Sequence, residues 1–482
     1  MSNEILDQAP AATAGEPHVR EIAWIEPHEA ARRMRPLGGL SFLDSAMPHG
    51  ELGRHSYVAA APFGRFTVEE GKAAWNGRGL DGHPVDALRD LLALYQRPRL
   101  AGLPPFQGGA IGFFGYEFGR LLERLPAPVP AILGAVPEAS LAFHDALVSF
   151  DHDGRRAFVV STGLPEQDPA VRARRAADRA AGIEAMLGRP APRPSPLPAV
   201  PRAGWRSNFT AEAYRLSVAR VVEYVLDGDI FQANLAQRFE ADLPPGHDPW
   251  AFYLRLRETN AATFAAYLEH GDLAVASSSP ERFLKLDRDE VETRPIKGTA
   301  PRSPDPKEDA RNAERLLASE KDRAENLMIV DLLRNDLSRV CRPHSVKTPS
   351  LCALETYAGV HHLVSAVTGT LTRGRSAVDL LAASFPGGSI TGAPKLRAME
   401  IITEIEQEAR GVYCGAIGCL GFDGFLDTNI AIRTVTFRGG KASFHAGGGI
   451  TALSEPEAEY RETLDKAERI FRAFEDSGEA HA

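Results

Sequence analysis

The run Gly188-Arg-Pro-Ala-Pro-Arg-Pro-Ser-Pro-Leu-Pro-Ala-Val-Pro201 limits the folding of this chain more than any other feature. Each proline fixes φ and removes a backbone donor, so neither a helix nor a central strand can pass through it, and the segment should be extended and exposed. Before it, residues 168–187 are rich in Ala and Arg at helical spacing and read as a solvated helix leading into a linker. After it, Thr210 or Asn208 can cap a helix that runs to Leu226 and stops at Asp227-Gly228. The chain therefore divides into an N-terminal accessory region (1–187), a Pro-rich linker (188–204), a region carrying the chemistry (205–475) and a tail (476–482). A length of 482 residues also admits one large interlocked body.

Hydrophobic residues at 44% and charged residues at 25% match an ordinary globular protein and exclude disorder, collagen and coiled coil as the main architecture. With 55 Lys+Arg against 64 Asp+Glu and a formal charge of -9, a nucleic-acid partner is not expected, because phosphate binding needs clustered cations. No apolar run approaches the roughly 20 residues that span a bilayer, and the start Met-Ser-Asn-Glu-Ile-Leu-Asp-Gln lacks a basic, apolar signal segment. Cys341, Cys352, Cys414 and Cys419 are too few for a disulfide framework. A soluble cytoplasmic protein is expected. In the first region, Phe106-Gln-Gly-Gly-Ala-Ile-Gly-Phe-Phe-Gly-Tyr116 suits strands whose backbones pack closely. Beyond the linker, 281–296 reads as a hairpin, and 442–446 returns from 430–437 through Gly439-Gly440. Helices are predicted at 308–319, 320–337, 375–384, 395–408 and 455–475. Hairpins mixed with helices, without a βαβ rhythm, point to an α+β fold with antiparallel sheets.

Ser454 and Glu457 fit a capping box at the start of the last helix, whose core stripe is Tyr460, Leu464, Ala467, Phe471 and Phe474. Glu459, Glu462 and Lys466 share one side of it, either as a solvated face with a Glu462–Lys466 pair or as part of a cation site. The 320–337 helix is apolar on two sides, through Leu327, Val330, Leu333 and Leu337 and through Met328, Ile329 and Leu332, so it should be largely buried. Asp331 and Arg334 can pair locally, but Glu325 has no opposite charge three or four residues on. Together Glu325, Glu459 and Glu462 suit a hard cation such as Mg²⁺. If the hairpin turns at Arg288-Asp289, position 281 faces 296 and Glu281 neighbours Lys297, as an ion pair or as an acid beside a nucleophilic amine. Pro295 and Gly298 bracket that lysine, which places it on a loop after the strand. Arg433 shares a strand face with Ala431, Val435 and Phe437 and needs an anionic partner, which a substrate carboxylate would provide. Gly447-Gly-Gly449 follows the next strand, where free amides can cradle a carboxylate. The 387–395 loop lacks the Gly-Lys-Ser/Thr ending of a nucleotide site, and no cysteine sits in a Gly-x-Cys-x-Gly elbow.

Several motifs occur in one order: Gly228-Asp-Ile-Phe-Gln-Ala-Asn-Leu-Ala-Gln-Arg238, Ser279-Pro-Glu-Arg-Phe283, Arg294-Pro-Ile-Lys-Gly-Thr299, His361-His-Leu-Val-Ser365, Gly411-Val-Tyr-Cys-Gly415 and Glu459-Tyr-Arg-Glu462. Through them the chain resembles the chorismate-utilising enzymes, strongly over 205–475 and weakly over 35–165, and within these the large subunits of aminodeoxychorismate synthase. The resemblance implies antiparallel sheets packed as a sandwich and flanked by helices. It implies chorismate and ammonia as substrates, 4-amino-4-deoxychorismate (for para-aminobenzoate and folate) as product, and a separate glutaminase subunit as ammonia source. It assigns Mg²⁺ to Glu325, Glu459 and Glu462, a covalent lysine intermediate to Lys297 and proton donation to Glu281. The substrate would meet Tyr413, Arg433, Gly447, Gly448, Gly449, Lys466, His362 and Thr299. Lys297 stands where anthranilate synthases have Ala, and Gln232 where isochorismate and salicylate synthases have a water-activating lysine. Ser45, Thr263 and Phe264 match a tryptophan pocket of the family, although Thr263 replaces its usual Pro. The alternatives are an anthranilate synthase component I and a catalytically silent binding subunit.

Overall fold

Strands from both sides of the proline run pair with one another. The computed structural model describes residues 17–47, 52–126, 136–193, 195, 197–357 and 359–475. Among these, antiparallel strands form two 12-stranded sheets. The first runs from His18–Ile22 through Arg156–Ser161, Ala146–Asp151, His55–Ala59 and Ser41–Asp44. It continues into Phe264–His270, Leu273–Ser279, Thr434–Arg438, Lys441–Ile450, Gln232–Asp242 and Arg206–Ser207. The second runs from Ile296–Pro301 through Val360–Thr370, Glu290–Thr293, Arg282–Asp287, Leu426–Ile430 and Ala416–Gly421. It then crosses to Gly109–Phe114, Ala139–His144, Gly64–Glu69, Lys72–Trp75 and Arg78–Gly79. The joints are Asp44 opposite Ala265 and Phe114 opposite Ala416. The glycine-rich strand makes the second joint possible: a Cβ on Gly109 would lie 2.1 Å from the Leu420 carbonyl and one on Gly112 1.9 Å from that of Ser140.

Tyr57, Leu147, Leu268 and Val275 of the first sheet pack with Ile111, Phe113, Ile417 and Cys419 of the second, so the sheets form a sandwich. Helices cover both outer faces. Ile183, Phe252 and Phe474, from helices Pro169–Leu187, Pro249–Thr259 and Pro456–Glu475, lie on the first. Leu88, Leu333 and Leu381, from Pro84–Leu94, Glu320–Ser338 and Ala377–Ser384, lie on the second. Each such side chain contributes about 1.5–3 kcal/mol relative to exposure. The α+β sandwich expectation therefore holds. No described helix is long and apolar enough to cross a membrane.

Local signals mostly act as their chemistry suggests. Asp168 caps Pro169–Leu187 through the Ala170 and Val171 amides, and Thr210 caps Ala211–Leu226 by accepting from Ala213 N–H. Asn208 instead accepts from Arg238 N–H. The described residues of the proline run are exposed or half-buried until Val200, which is buried and donates its N–H to the Phe474 carbonyl.

Three expectations about strand extent, capping and helix burial fail here. Residues 430–437 are not one strand: Leu426–Ile430 ends in the second sheet, Thr434–Arg438 begins in the first, and Arg433 between them has φ 51. Ser454 does not form a box with Glu457, since its hydroxyl donates to Glu459 and accepts from Thr451 N–H, while Glu457 pairs with Arg215 and Arg461. Helix Glu320–Ser338 is only half sunk, because Leu327 is 48% exposed and the Asp331–Arg334 pair lies on the same open side.

Candidate active site

Two chain crossings from sheet to sheet lie side by side and set the reacting groups. One, at 279–282, leaves the strand Leu273–Ser279 and carries Glu281; the other, at 430–434, carries Arg433. They are tied together by Ile430 N–H donating to the Glu281 carbonyl, Ser279 Oγ donating to the Ile430 carbonyl, and Ser278 N–H donating to the Arg433 carbonyl. A chain changing sheets cannot keep a ladder going, so these side chains turn into the gap. Arg433 thus shares no strand face with Ala431, Val435 and Phe437; the left-handed backbone at 433 redirects it.

The gap is a cavity of about 460 Å³ that gathers Glu281, Lys297, Thr299, Glu325, His362, Tyr413, Arg433, Gly447, Gly448, Gly449, Glu462 and Lys466. Lys285 pairs with Glu292, the register that sets 281 against 296, and Ile296 N–H donates to Glu281 Oε1 at 3.4 Å. Lys297 is not on a loop. After Pro295 the chain keeps its other neighbour, Val360–Thr370, and Lys297 occupies a bulge between Ile296 and Thr299 within strand Ile296–Pro301. Gly298 (φ +81) allows the bulge, and a Cβ there would sit 2.9 Å from Asp322 Cγ.

Burial dominates the titration of this pair. Glu281 is pushed up to about 7 by burial, against the opposing Ser389 hydrogen bond and the Lys297 charge. Lys297 is lowered by burial, against the attraction of Glu325 and Glu281; its Nζ lies 3.9 Å from Glu325 Oε2. Burial thus moves both groups toward their neutral forms, the carboxyl upward and the amine downward.

Across the cavity Arg433 has no hydrogen-bond or ion-pair partner among the described residues, and burial followed by the neighbouring Arg469 charge lowers its pKa to about 10. Tyr413 stacks on His445 (centroids 4.8 Å, 8°), with the Arg410 guanidinium 5.7 Å from its ring. Burial drops His362 to about 4, and Thr299 Oγ1 lies 2.9 Å from its Nδ1. Gly447–Gly449 lie inside strand Lys441–Ile450 rather than after it. Opposite them, Ala236 N–H is taken by Glu406 and Asn234 N–H by the Thr391 carbonyl, which turns Gly447 and Gly449 toward the far edge. Lys466 Nζ accordingly donates to the Gly447 carbonyl at 2.9 Å.

The three carboxylates crowd this glycine edge. A Cβ on Gly448 would lie 3.3 Å from both Glu459 Oε2 and Glu462 Oε1, and one on Gly449 3.5 Å from Glu325 Oε2. Each carboxylate holds a lysine: Glu325 to Lys297, Glu459 to Lys321 at 3.5 Å, Glu462 to Lys466 at 2.6 Å. Burial raises Glu325; in Glu462 Lys466 outweighs burial and lowers the pKa. Among the described residues no three such groups converge tightly enough to grip a metal as they stand. The donor set, three carboxylates around a backbone without side chains, is still the chemistry a hard cation requires once the lysines turn away.

Sequence reasoning missed Ser389, Lys321 and His445, which also line the cavity. Ser389 lay in the dismissed 387–395 loop, and a lone histidine before a glycine run gives no periodic signal. Gln232 is 1% exposed, and neither its Nε2 nor its Oε1 has a partner among the described residues. Ser45, Thr263 and Phe264 come together in a second cavity of about 290 Å³. There the Ser45 hydroxyl donates to the His55 carbonyl at 2.6 Å, Thr263 donates to the Met47 carbonyl at 3.2 Å, and Arg282 covers Phe264 at 4.9 Å.

Comparison with known proteins matches this arrangement. Residues 43–472 fit the chorismate binding enzyme family. The chain is 46% identical over 371 residues to aminodeoxychorismate synthase component 1 of Escherichia coli, covering 77% of this chain and 78% of that one. It is 40% identical over 442 residues to anthranilate synthase component 1 of Streptomyces coelicolor, covering 89% and 83%. Among solved structures, anthranilate synthase component I from Streptococcus pneumoniae superposes with a TM-score of 0.77 at 32% identity, over 87% of this chain and 92% of that chain. The menaquinone-specific isochorismate synthase of Escherichia coli shares the fold, with a TM-score of 0.71 at 18% identity over 98% of both chains. The chain is a member of the chorismate binding enzyme family.

Proposed function

We propose that this chain is the chorismate-aminating component of an aminodeoxychorismate synthase. The observation that carries this is an amine lowered by burial, Lys297, near a carboxyl pushed up to about 7, Glu281, inside a cavity with an unpaired Arg433 guanidinium. Lys297 Nζ attacks C2 of chorismate; the double bond shifts, and the C4 hydroxyl leaves as water with the proton of Glu281. The lysine nitrogen then sheds a proton, leaving a secondary amine on the ring. Glu281, reprotonated by the proton shed from that nitrogen, returns it to Lys297 as ammonia adds at C4, the double bond shifts back and Lys297 departs from C2 as a neutral amine. The new C4 ammonium gives a proton to the Glu281 carboxylate, leaving 4-amino-4-deoxychorismate. A tethered amine performs the harder displacement because it loses no translational freedom at that step.

Arg433, Tyr413 and the Gly447–Gly449 edge would hold one carboxylate of the substrate, with Lys466, Thr299 and His362 lining the remainder. Glu325, Glu459 and Glu462 would hold Mg²⁺, which when bound neutralises the other carboxylate. The neutral side chain at Gln232 favours ammonia over water, since an amide cannot take a proton from water as a lysine base can. We assign the ammonia supply to a separate glutaminase component, and the second cavity, with Ser45, Thr263 and Phe264, to tryptophan.

Chromatography of the products from chorismate, ammonium and Mg²⁺ tests the proposal. It requires 4-amino-4-deoxychorismate without pyruvate. Anthranilate and pyruvate would identify an anthranilate synthase component, the reading favoured by the relatives covering 89% of the chain. Unconsumed chorismate would leave a silent scaffold.

A further inference from the structure

Asn234, in strand Gln232–Asp242, lines the cavity and is only 7% exposed. Its backbone is fixed on both sides: the N–H donates to the Thr391 carbonyl at 2.7 Å, and the carbonyl accepts from Arg410 Nη2 at 2.7 Å. Arg410 is itself neutralised by Glu406 at 2.6 Å. The side chain is the opposite case. It makes no hydrogen bond among the described residues, and its Oδ1 is a buried acceptor without a donor. Gly449 lies directly opposite in the ladder and has no side chain to cover it. With nothing holding the amide, it turns about its last bond and can present Oδ1 to the cavity.

Buried side-chain acceptors nearly always have a donor, so this one marks a place for a donor from outside the chain. The 387–391 loop sets that place beside the acid. At one end Thr391 holds the Asn234 N–H; at the other a Cβ on Gly387 would lie 2.6 Å from Ile430 Cδ1 and 3.4 Å from Phe283 Cδ2. Ile430 N–H in turn donates to the Glu281 carbonyl at 3.0 Å, and Ser389 of the same loop lines the cavity with Asn234 and Glu281. A carbonyl oxygen repels carboxylates, and Arg433 and Lys466 already offer the cations that those need. The C4 hydroxyl leaves with the proton of Glu281. The reactant that remains is ammonia, with three N–H donors and one lone pair. An N–H held by Oδ1 points the lone pair away from Asn234, and the same bond strengthens as the attacking nitrogen becomes cationic.

We propose that Asn234 seats the ammonia: its Oδ1 accepts an N–H and aims the nitrogen lone pair at C4, beside Glu281. This rests on the reading of the chain as an enzyme that aminates chorismate at C4. The N–C4 bond forms from the ammonia lone pair, the ring double bond shifts, and the C2–N bond breaks with its electron pair going to Lys297. Lys297 has received the proton of Glu281, and the C4 ammonium passes one back to that carboxylate. Asn234 neither gains nor loses a proton; it orients the nucleophile and stabilises the charge that the attack creates.

The test is steady-state kinetics of Asn234→Val and Asn234→Asp with chorismate and ammonium, together with intact-protein mass after mixing with chorismate alone. Asn234→Val removes the acceptor and suits a strand. It should lower kcat/KM for ammonium by about tenfold to a hundredfold, the loss expected for a hydrogen bond to a charged nitrogen. Its KM for chorismate, and the rate at which chorismate adds mass to the protein without ammonium, should stay within about threefold, because neither precedes the loss of that bond. Asn234→Asp keeps an oxygen at the same reach and should recover most of the ammonium use. An unchanged kcat/KM for ammonium in Asn234→Val, equal losses in the two variants, or an equal slowing of adduct formation overturns the ammonia seat. A wild-type protein that makes no 4-amino-4-deoxychorismate overturns the functional reading instead, so the two failures are distinguishable.

Discussion

Replacing Glu281 by Gln should inactivate the protein and, above neutral pH, stabilise it. Burial raises the Glu281 carboxyl from 4.5 to about 7. Between those values the folded chain binds a proton that the unfolded chain has lost. The stability associated with the neutral carboxyl is therefore fully present below about 4.5 and is lost as pH rises to about 7. At about 1.4 kcal/mol per pH unit the loss comes to about 3 kcal/mol at pH 8. Glutamine keeps the acceptor for Ile296 N–H and carries no charge, so it escapes that loss. A domain of this length gains roughly 1 kcal/mol of unfolding free energy per degree of Tm, which puts the advantage of the variant at about 3 °C at pH 8 and below about 1 °C at pH 5. Thermal melts of both proteins at the two pH values measure it, and the other titrating groups cancel in the difference. Chorismate turnover should fall by about 10²–10⁴ because the amide cannot donate the proton. A Tm difference that is the same at pH 5 and pH 8 would refute the assignment of a buried, protonated Glu281.

Lys297→Ala should abolish any chorismate-derived mass increment on the intact protein after quenching without ammonia, and lower turnover by roughly 10³-fold or more; an adduct of undiminished yield removes Lys297 from the covalent role. Glu459→Gln should raise the Mg²⁺ concentration for half-maximal activity by about tenfold or more, as a third of the carboxylate charge around Gly448 is gone; an unaltered Mg²⁺ titration sinks the metal assignment. Lys395 Nζ is 2.7 Å from Asp336 Oδ2 and 2.9 Å from the Ser384 carbonyl, both buried. Lys395→Met should cost about 3–5 kcal/mol in denaturant melts at pH 8, and less at pH 5, because burial already raises the Asp336 carboxyl and removing the lysine raises it further. Equal losses at the two pH values would count against an uncompensated carboxylate.

What the sequence disclosed follows from what repeats along a chain. The hairpin register brought position 281 near 296, so Glu281 and Lys297 were rightly expected in one neighbourhood, although the ion pair of Lys297 is with Glu325. The cap at Thr210 was readable because a side-chain oxygen reaches only two or three residues. Arg433 was misplaced because nothing about an arginine announces a left-handed backbone, and the sheet change at 430–434 depends on which distant strand wins each edge. Lys297 was put on a loop because Pro295 ends one pairing; that the strand retains a second neighbour comes only from tertiary contacts. The burial of helix Glu320–Ser338 was overstated because two apolar stripes were counted as fully covered, while Leu327, at the start of one of them, meets solvent and only Val330, Leu333 and Leu337 behind it are buried.

Because Phe114 lies beside Ala416 and Asp44 beside Ala265, early-made strands wait for partners synthesised long afterwards. Emerging from the ribosome, the first 187 residues carry unmatched hydrogen-bonding edges that tempt other nascent chains. Closing such long loops before any reward arrives makes folding slow and prolongs the exposure of those edges. Cutting at the proline run would therefore yield two sticky fragments rather than a working enzyme and a spare part.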